Sequence, residues 1–164
     1  MKQLILVRHA KSSWADVSVD DFNRKLNDRG KRDAPEMAEW LHKKIKHIDL
    51  FLSSPAKRAK KTCKIFCEVF KEDNENIRFI ESLYLASSSE IGEAISEVND
   101  NFSTVALFGH NPGITDFANS LVSNCFIDNM PTCSIFAVKC EVKSWREFID
   151  AKREFLFFNS PRHK

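Results

Sequence analysis

The sequence predicts an α/β protein, a three-layer α/β/α sandwich around a mostly parallel central sheet. Three observations lead there. Short apolar runs recur at Leu4–Val7, Asp49–Ser53 and Thr104–Phe108, continuous as in strands covered on both faces. A polar or glycine-containing turn follows each run. A helical pattern then follows each turn, and such alternation builds a parallel sheet flanked by helices. The 164 residues suffice for one core and show no repeat, low-complexity tract or linker, so one domain over residues 1–164 is expected.

The first strand, Leu4–Val7, runs directly into Arg8-His9. A polar loop from Lys11 to Phe22 separates it from a helix over Asn27–Lys46, with Ala34, Ala38, Leu41 and Ile45 on one stripe and Asn27 as cap. Pro35 lies inside that helix, where it lacks an N–H and crowds the Lys31 carbonyl, so a kink or a late start is expected. The second unit pairs the Asp49–Ser53 strand with a helix capped by Ser54, with Pro55 at its first position and Ala59, Cys63, Phe66 and Phe70 facing inward. A third strand, Ile77–Ile80, precedes a looser helix over Ser89–Val98. In the fourth unit the Thr104–Phe108 strand, a Gly109-His110 turn, an Asn111 cap and Pro112 lead into a helix with Ile114, Phe117, Ala118, Leu121 and Val122 at helical spacing. Ser134–Cys140, Trp145–Asp150 and Glu154–Phe158 read as strands, the last two as an edge hairpin.

Composition narrows the function classes. A formal net charge of +2 gives no global field for nucleic acid or a membrane surface. The apolar run before Arg8 is too short for an export signal and no run would span a bilayer, so a cytoplasmic location is expected. Cys63, Cys67, Cys125, Cys133 and Cys140 are odd in number and lack metal-type pairing, which reads as reduced core thiols. The Lys57–Lys61 run reads as a solvated helix face with Arg58 turned inward, and the many phenylalanines as core. His42, His47 and His163 read as surface groups.

In a parallel α/β sheet the site lies at the carboxyl ends of the strands, and Arg8-His9, Ser53-Ser54 and Gly109-His110 all fall at such ends. Arg8 and Arg58 offer planar, permanently charged forks that match phosphoryl oxygens, and helix starts near Ser54 and Asn111 would add backbone donors. Positive neighbours hold a histidine neutral, and neutral imidazole is a nucleophile. His9 is thus a candidate to attack phosphorus, with His110 donating to the transferring group. No acidic cluster accompanies these residues, so neither metal nor other cofactor is called for. Lys11, Ser12 and Ser13 follow the nucleophile and line the pocket or face water; Trp14 flanks substrate or packs over its loop.

These residues stand in recognisable motifs. Leu6-Val7-Arg8-His9-Ala10 resembles the R-H-G signature of the histidine phosphatase superfamily, with alanine for the usual glycine. Ser53-Ser54-Pro55-Ala56-Lys57-Arg58-Ala59 through Thr62 resembles its S-S-P-x-x-R-A-x-x-T block. Gly109-His110-Asn111-Pro112-Gly113 is similar to the G-H-N-P-G block of the short SixA-like phosphohistidine phosphatases, and Arg24-Lys25-Leu26-Asn27 through Gly30 to R-P-L-T-x-x-G. The resemblance spans roughly residues 2–140 and implies a phosphoglycerate mutase-like fold. It implies His9 as phosphate-accepting nucleophile, Arg8, Arg58 and His110 as catalytic and phosphate-binding groups, and Arg24 as a substrate contact near the pocket mouth.

One departure is informative. Phosphomonoesterases of the superfamily carry an acid in an L-x-E pattern after the third strand, but here the stretch is Leu83-Tyr84-Leu85. An alkoxide leaving group needs that proton; imidazole, with a pKa near ~6.5, departs without it. The expected function is therefore hydrolysis of phosphohistidine, on a protein or as a small phosphoramidate. The alternatives are a small-metabolite phosphomonoesterase and, in another class, a non-catalytic phosphoprotein-binding module. Specificity is expected from the loops at residues 11–23 and 82–89, and oligomeric state is left open with a monomer compatible.

Overall fold

In the computed structural model, which describes residues 1–162, the three continuous apolar runs become central strands of a six-stranded sheet. In chain order the elements are β1 (Lys2–Arg8), α1 (Asp28–Lys44), β2 (Leu50–Ser53), α2 (Lys57–Val69), β3 (Ile77–Phe79), α3 (Ser88–Ser96), β4 (Thr104–Gly109), α4 (Gly113–Leu121), β5 (Ile135–Cys140), α5 (Trp145–Asp150) and β6 (Glu154–Asn159). The sheet order is β3-β2-β4-β1-β5-β6, with β3, β2, β4 and β1 parallel, β5 antiparallel to β1, and β6 antiparallel to β5.

The two-residue period of the strands divides the core into two layers. Leu4, Leu6, Leu50, Leu52, Val105 and Leu107 face α3, α4 and α5, against Ile91, Phe117 and Trp145. Ile5, Val7, Phe51, Ala106 and Phe108 face α1 and α2, against Ala38, Leu41, Cys63 and Phe66. Runs with no polar alternation follow directly from a sheet covered on both faces. All five cysteines are free, and four of them are buried.

Several boundaries differ from the sequence expectation. α1 begins at Asp28, where the Asn27 side chain accepts from the Gly30 amide, and runs through Pro35 without a late start. Ser54 does not cap α2, which starts at Lys57; its hydroxyl accepts from the Ala56 amide and faces His110 instead. Asn111 likewise does not cap α4, which starts at Gly113 after a cis Asn111–Pro112 bond. The Asn111 amide is engaged by Asn129, the Met130 carbonyl and the Thr115 hydroxyl.

Trp145–Asp150 is a helix, not a strand. The Ser144 side chain accepts from the Glu147 amide, and Trp145 and Phe148, three residues apart, enter one core. The expected edge hairpin is therefore absent: β6 pairs antiparallel with β5, and the connection between them carries α5. His42 is half-buried with its ring 4.7 Å from that of Phe70, whereas His47 is exposed and bonded to Asp49 and Glu72. His163 lies outside the described residues.

Candidate active site

Strand register brings three distant segments to one rim. Arg8 pairs with Gly109 across β1 and β4, and Ser53 with Phe108 across β2 and β4. The His9 amide donates to the Gly109 carbonyl at 3.2 Å, and the Ser54 amide to the Phe108 carbonyl at 3.0 Å. Across the rim the Cys133 amide donates to the Arg8 and His9 carbonyls, each at 3.0 Å. Thr62 ties the helix to the same loop: its hydroxyl donates to the Arg58 carbonyl at 2.7 Å and accepts from the Ala10 amide at 3.0 Å. The motif threonine thus joins the segment bearing Arg58 to the segment bearing His9.

The His9 and His110 rings lie 5.1 Å apart, and Arg58 bridges them. His9 Nδ1 stands 2.8 Å from the Ala10 carbonyl, which can only accept, so Nδ1 carries the proton and Nε2 keeps its lone pair. Arg58 Nε donates to that Nε2 at 3.3 Å. Arg58 Nη2 lies 3.4 Å from His110 Nδ1, which must accept, so His110 Nε2 donates to Ser54 Oγ at 2.7 Å. Burial holds the His9 imidazole well below its ordinary range, reinforced by His110, Arg58 and Arg8 against a weaker pull from the Ala10 carbonyl. Burial, then Arg58, lowers His110 to about 3. Both rings are neutral near pH 7.

Arg8 reaches the same pocket, with Nη1 donating to the Met130 carbonyl at 2.9 Å. Its buried Nε–H has no partner among the described residues. An unanswered cationic donor beside a second guanidinium is a natural seat for an anion.

Arg58 makes its remaining bonds to Asp21, donating from Nη1 to the carbonyl at 2.6 Å and from Nη2 to Oδ2 at 3.0 Å. Asp21 also accepts from Arg24 and from the Tyr84 hydroxyl. Burial pushes this carboxyl up, but the hydrogen bonds from Tyr84, Arg24 and Arg58 outweigh it and hold the group well below the usual carboxylate range. Asp21 escaped the sequence reading because it sits in an aperiodic loop among other acids; its spacing to Arg24 was the available signal.

Arg8, His9, Arg24, Arg58 and His110 all line one cavity of about 190 Å³, with Lys11 and Ser12 beside them. Ser13 is not on that wall; its hydroxyl accepts from the Ala15 amide. Buried Arg24 donates to Ser12 Oγ and lies over the Trp14 ring, 3.6 Å from its centroid. Trp14 is not packed over its loop: it is 70% exposed and forms part of the cavity mouth. Leu85, at the position of the family acid, lines the same cavity at a positive φ of 49°. Among the described residues no Asp or Glu side chain lines it. Among the described residues no three His, Cys, Asp or Glu side chains are grouped to hold a metal ion, and no helix is long and apolar enough to cross a membrane.

The lowered imidazoles make stability pH-dependent. Below about pH 6.5 the unfolded chain protonates both rings while the folded chain keeps them neutral, so the unfolded state binds more protons. Stability therefore rises with pH and is lost as pH falls from about 6.5 toward the folded values, near 3 for His110. Tm measured across that window is expected to fall more steeply with acidification for the parent than for His110→Asn. Parallel slopes would contradict the lowered value for His110.

Comparison with known proteins gives a consistent result. Residues 4–83 match the histidine phosphatase superfamily (branch 1). An uncharacterised chloroplast protein of Arabidopsis thaliana is 32% identical over 154 residues, covering 89% of this chain and 70% of that protein. A SixA structure from Agrobacterium tumefaciens superposes with a TM-score of 0.83 at 25% identity, covering 98% of this chain and 99% of that one. The structure of the protein histidine phosphatase SixA complexed with tungstate has the same fold, with a TM-score of 0.81 at 18% identity and 96% of each chain covered.

Proposed function

The chain belongs to the histidine phosphatase superfamily, and from that premise we propose that it is a metal-independent phosphohistidine phosphatase working as one catalytic domain through a phosphohistidine intermediate on His9. The substrate phosphoryl group sits among Arg8, Arg58 and His110, with Arg24 at the mouth. Nε2 of His9 attacks phosphorus in line, forming a new N–P bond as the bond to the substrate imidazole breaks. The leaving ring, protonated on its other nitrogen by solvent, departs neutral. Water then attacks the phosphorus on His9, releasing inorganic phosphate and restoring the free ring. The guanidiniums and His110 offset charge on the equatorial oxygens. His110 reaches the phosphoryl group as a donor only after a proton or tautomer change, because its Nδ1 faces Arg58 as an acceptor.

The observation that carries the P–N reading is the nature of the cavity wall. Leu85 stands where an ester hydrolase of this family would have its acid. The neighbouring carboxyl of Asp21 is held ionised by Arg24, Arg58 and Tyr84. The Tyr84 proton is committed to Asp21, and burial followed by that carboxylate pushes its ionisation up. None of these groups is an effective proton donor to an alkoxide. The free thiols suit a reducing compartment such as the cytoplasm.

Phosphoramidate and an alkyl monoester such as O-phosphoserine, whose alkoxide needs the missing proton, separate the reading from a phosphomonoesterase. We expect kcat/KM for phosphoramidate to exceed that for the ester by at least about a hundredfold, the typical worth of general acid catalysis. Equal rates, or preference for the ester, would sink the phosphohistidine assignment. Binding of both without turnover would leave the phosphoprotein-binding module.

A further inference from the structure

Beside the catalytic cavity lies a second concavity, of about 290 Å³, lined by Lys25, Lys31, Lys57, Lys60, Lys61 and Lys64 around Leu26. The lysines come from three segments: the loop carrying Arg24, the start of α1, and one flank of α2. Five are exposed and Lys60 is half-buried against the Phe79 ring. None of the six makes an ion pair with a described residue. The groove wall is lysine methylenes and Leu26 with ammoniums around its rim, that of Lys60 lying over Phe79, and the chain's net charge is only +2, so the positive excess is local.

Position links this groove to the chemistry. Lys25 directly follows Arg24, and Lys57 directly precedes Arg58, both of which line the catalytic cavity. The connecting backbone is held: Ser13 N–H donates to the Lys25 carbonyl at 2.8 Å, and Ser12 bridges to Leu26. The groove and the cavity are therefore joined through the backbone at Arg24-Lys25 and Lys57-Arg58.

We propose that the groove is a docking site for an acidic segment of a phosphorylated protein, seated so that its phosphohistidine enters the cavity. This rests on the phosphohistidine reading and adds to it that the substrate is a protein. Lysine ammoniums on flexible stems suit scattered carboxylates, while their methylenes and Leu26 offer apolar surface to one side chain between them. Nucleic acid is disfavoured because no arginine fork and no aromatic ring lines the groove for phosphate clamping or base stacking.

Two synthetic peptides provide the test, each with a single phosphohistidine, one flanked by glutamates and one by glutamines. At low ionic strength the glutamate peptide is expected to show roughly tenfold higher kcat/KM, through a lower KM and faster encounter, with the advantage shrinking in salt. The variant K57E/K61E/K64E is expected to lose that preference while hydrolysing free phosphoramidate at the parent rate, which also verifies its fold. Equal turnover of both peptides by the parent, or a preference surviving in the variant, would overturn the groove assignment alone. Turnover of neither peptide would overturn the phosphohistidine reading and the groove with it. Tighter binding of a single-stranded RNA oligonucleotide than of the unphosphorylated glutamate peptide, lost in the variant, would also overturn the proposal.

Discussion

His9→Ala is expected to lose turnover of phosphoramidate by roughly four to six orders of magnitude, the scale seen when an enzyme loses its nucleophile. The imidazole supplies the nitrogen lone pair on the floor formed by Arg8, Arg58 and His110. Its Nδ1–H is fixed by the Ala10 carbonyl, and its Nε2 meets only the long 3.3 Å contact from Arg58. Alanine leaves both guanidiniums in place, so inorganic phosphate should still bind the variant within a few-fold of the parent. Acid-labile, base-stable phosphate, found on the parent during turnover, should be absent from the variant. Retained turnover at even a hundredth of the parent rate would remove His9 from the nucleophile's role.

Arg58→Ala is expected to cost about a thousandfold in kcat/KM, as removal of a buried charge-stabilising group does elsewhere. This side chain is 2% exposed and holds four things at once: His9 Nε2, His110 Nδ1, the Asp21 carbonyl and the Asp21 carboxylate. Its loss removes a positive neighbour from both imidazoles, so both should ionise more readily and activity should acquire an acid limb closer to neutrality. Arg58→Lys separates charge from geometry. It keeps a cation and hence the low imidazole values, but one ammonium cannot span two rings and a carboxylate, so activity stays far below the parent with no new acid limb. An Arg58→Lys enzyme near parental activity would show that charge alone suffices.

The two histidines of the cavity were legible because each sits where a strand ends and a motif begins. Arg8-His9 and Gly109-His110 terminate continuous apolar runs, and a parallel sheet places such ends together. Two of the motif glycines have equally local reasons. A Cβ on Gly30 would lie 2.2 Å from the Lys11 carbonyl oxygen, in the loop after the nucleophile, and one on Gly113 would lie 1.8 Å from that of Ala86.

Residues held by loops or by backbone groups were not legible. Only its three-residue spacing to Arg24 sets Asp21 apart from Asp16 and Asp20 until the fold places it against Arg58 and Tyr84. Tyr84 did carry a signal, as the single tyrosine of the chain, but its partner lies 63 residues away. The Met130 carbonyl that steadies Arg8 has no side-chain signature at all. At α5 the apolar content suggested a strand, whereas the Ser144-to-Glu147 cap and the three-residue spacing of Trp145 and Phe148 decided for a helix.

The most direct test is to quench the enzyme during turnover of phosphoramidate under basic conditions, digest it, and locate the phosphate by tandem mass spectrometry and 31P NMR. Phosphate on Nε2 of His9 is the predicted result, since Nδ1 is committed to the Ala10 carbonyl. Phosphate on Nδ1, on His110, or on no residue while product still forms would contradict the account.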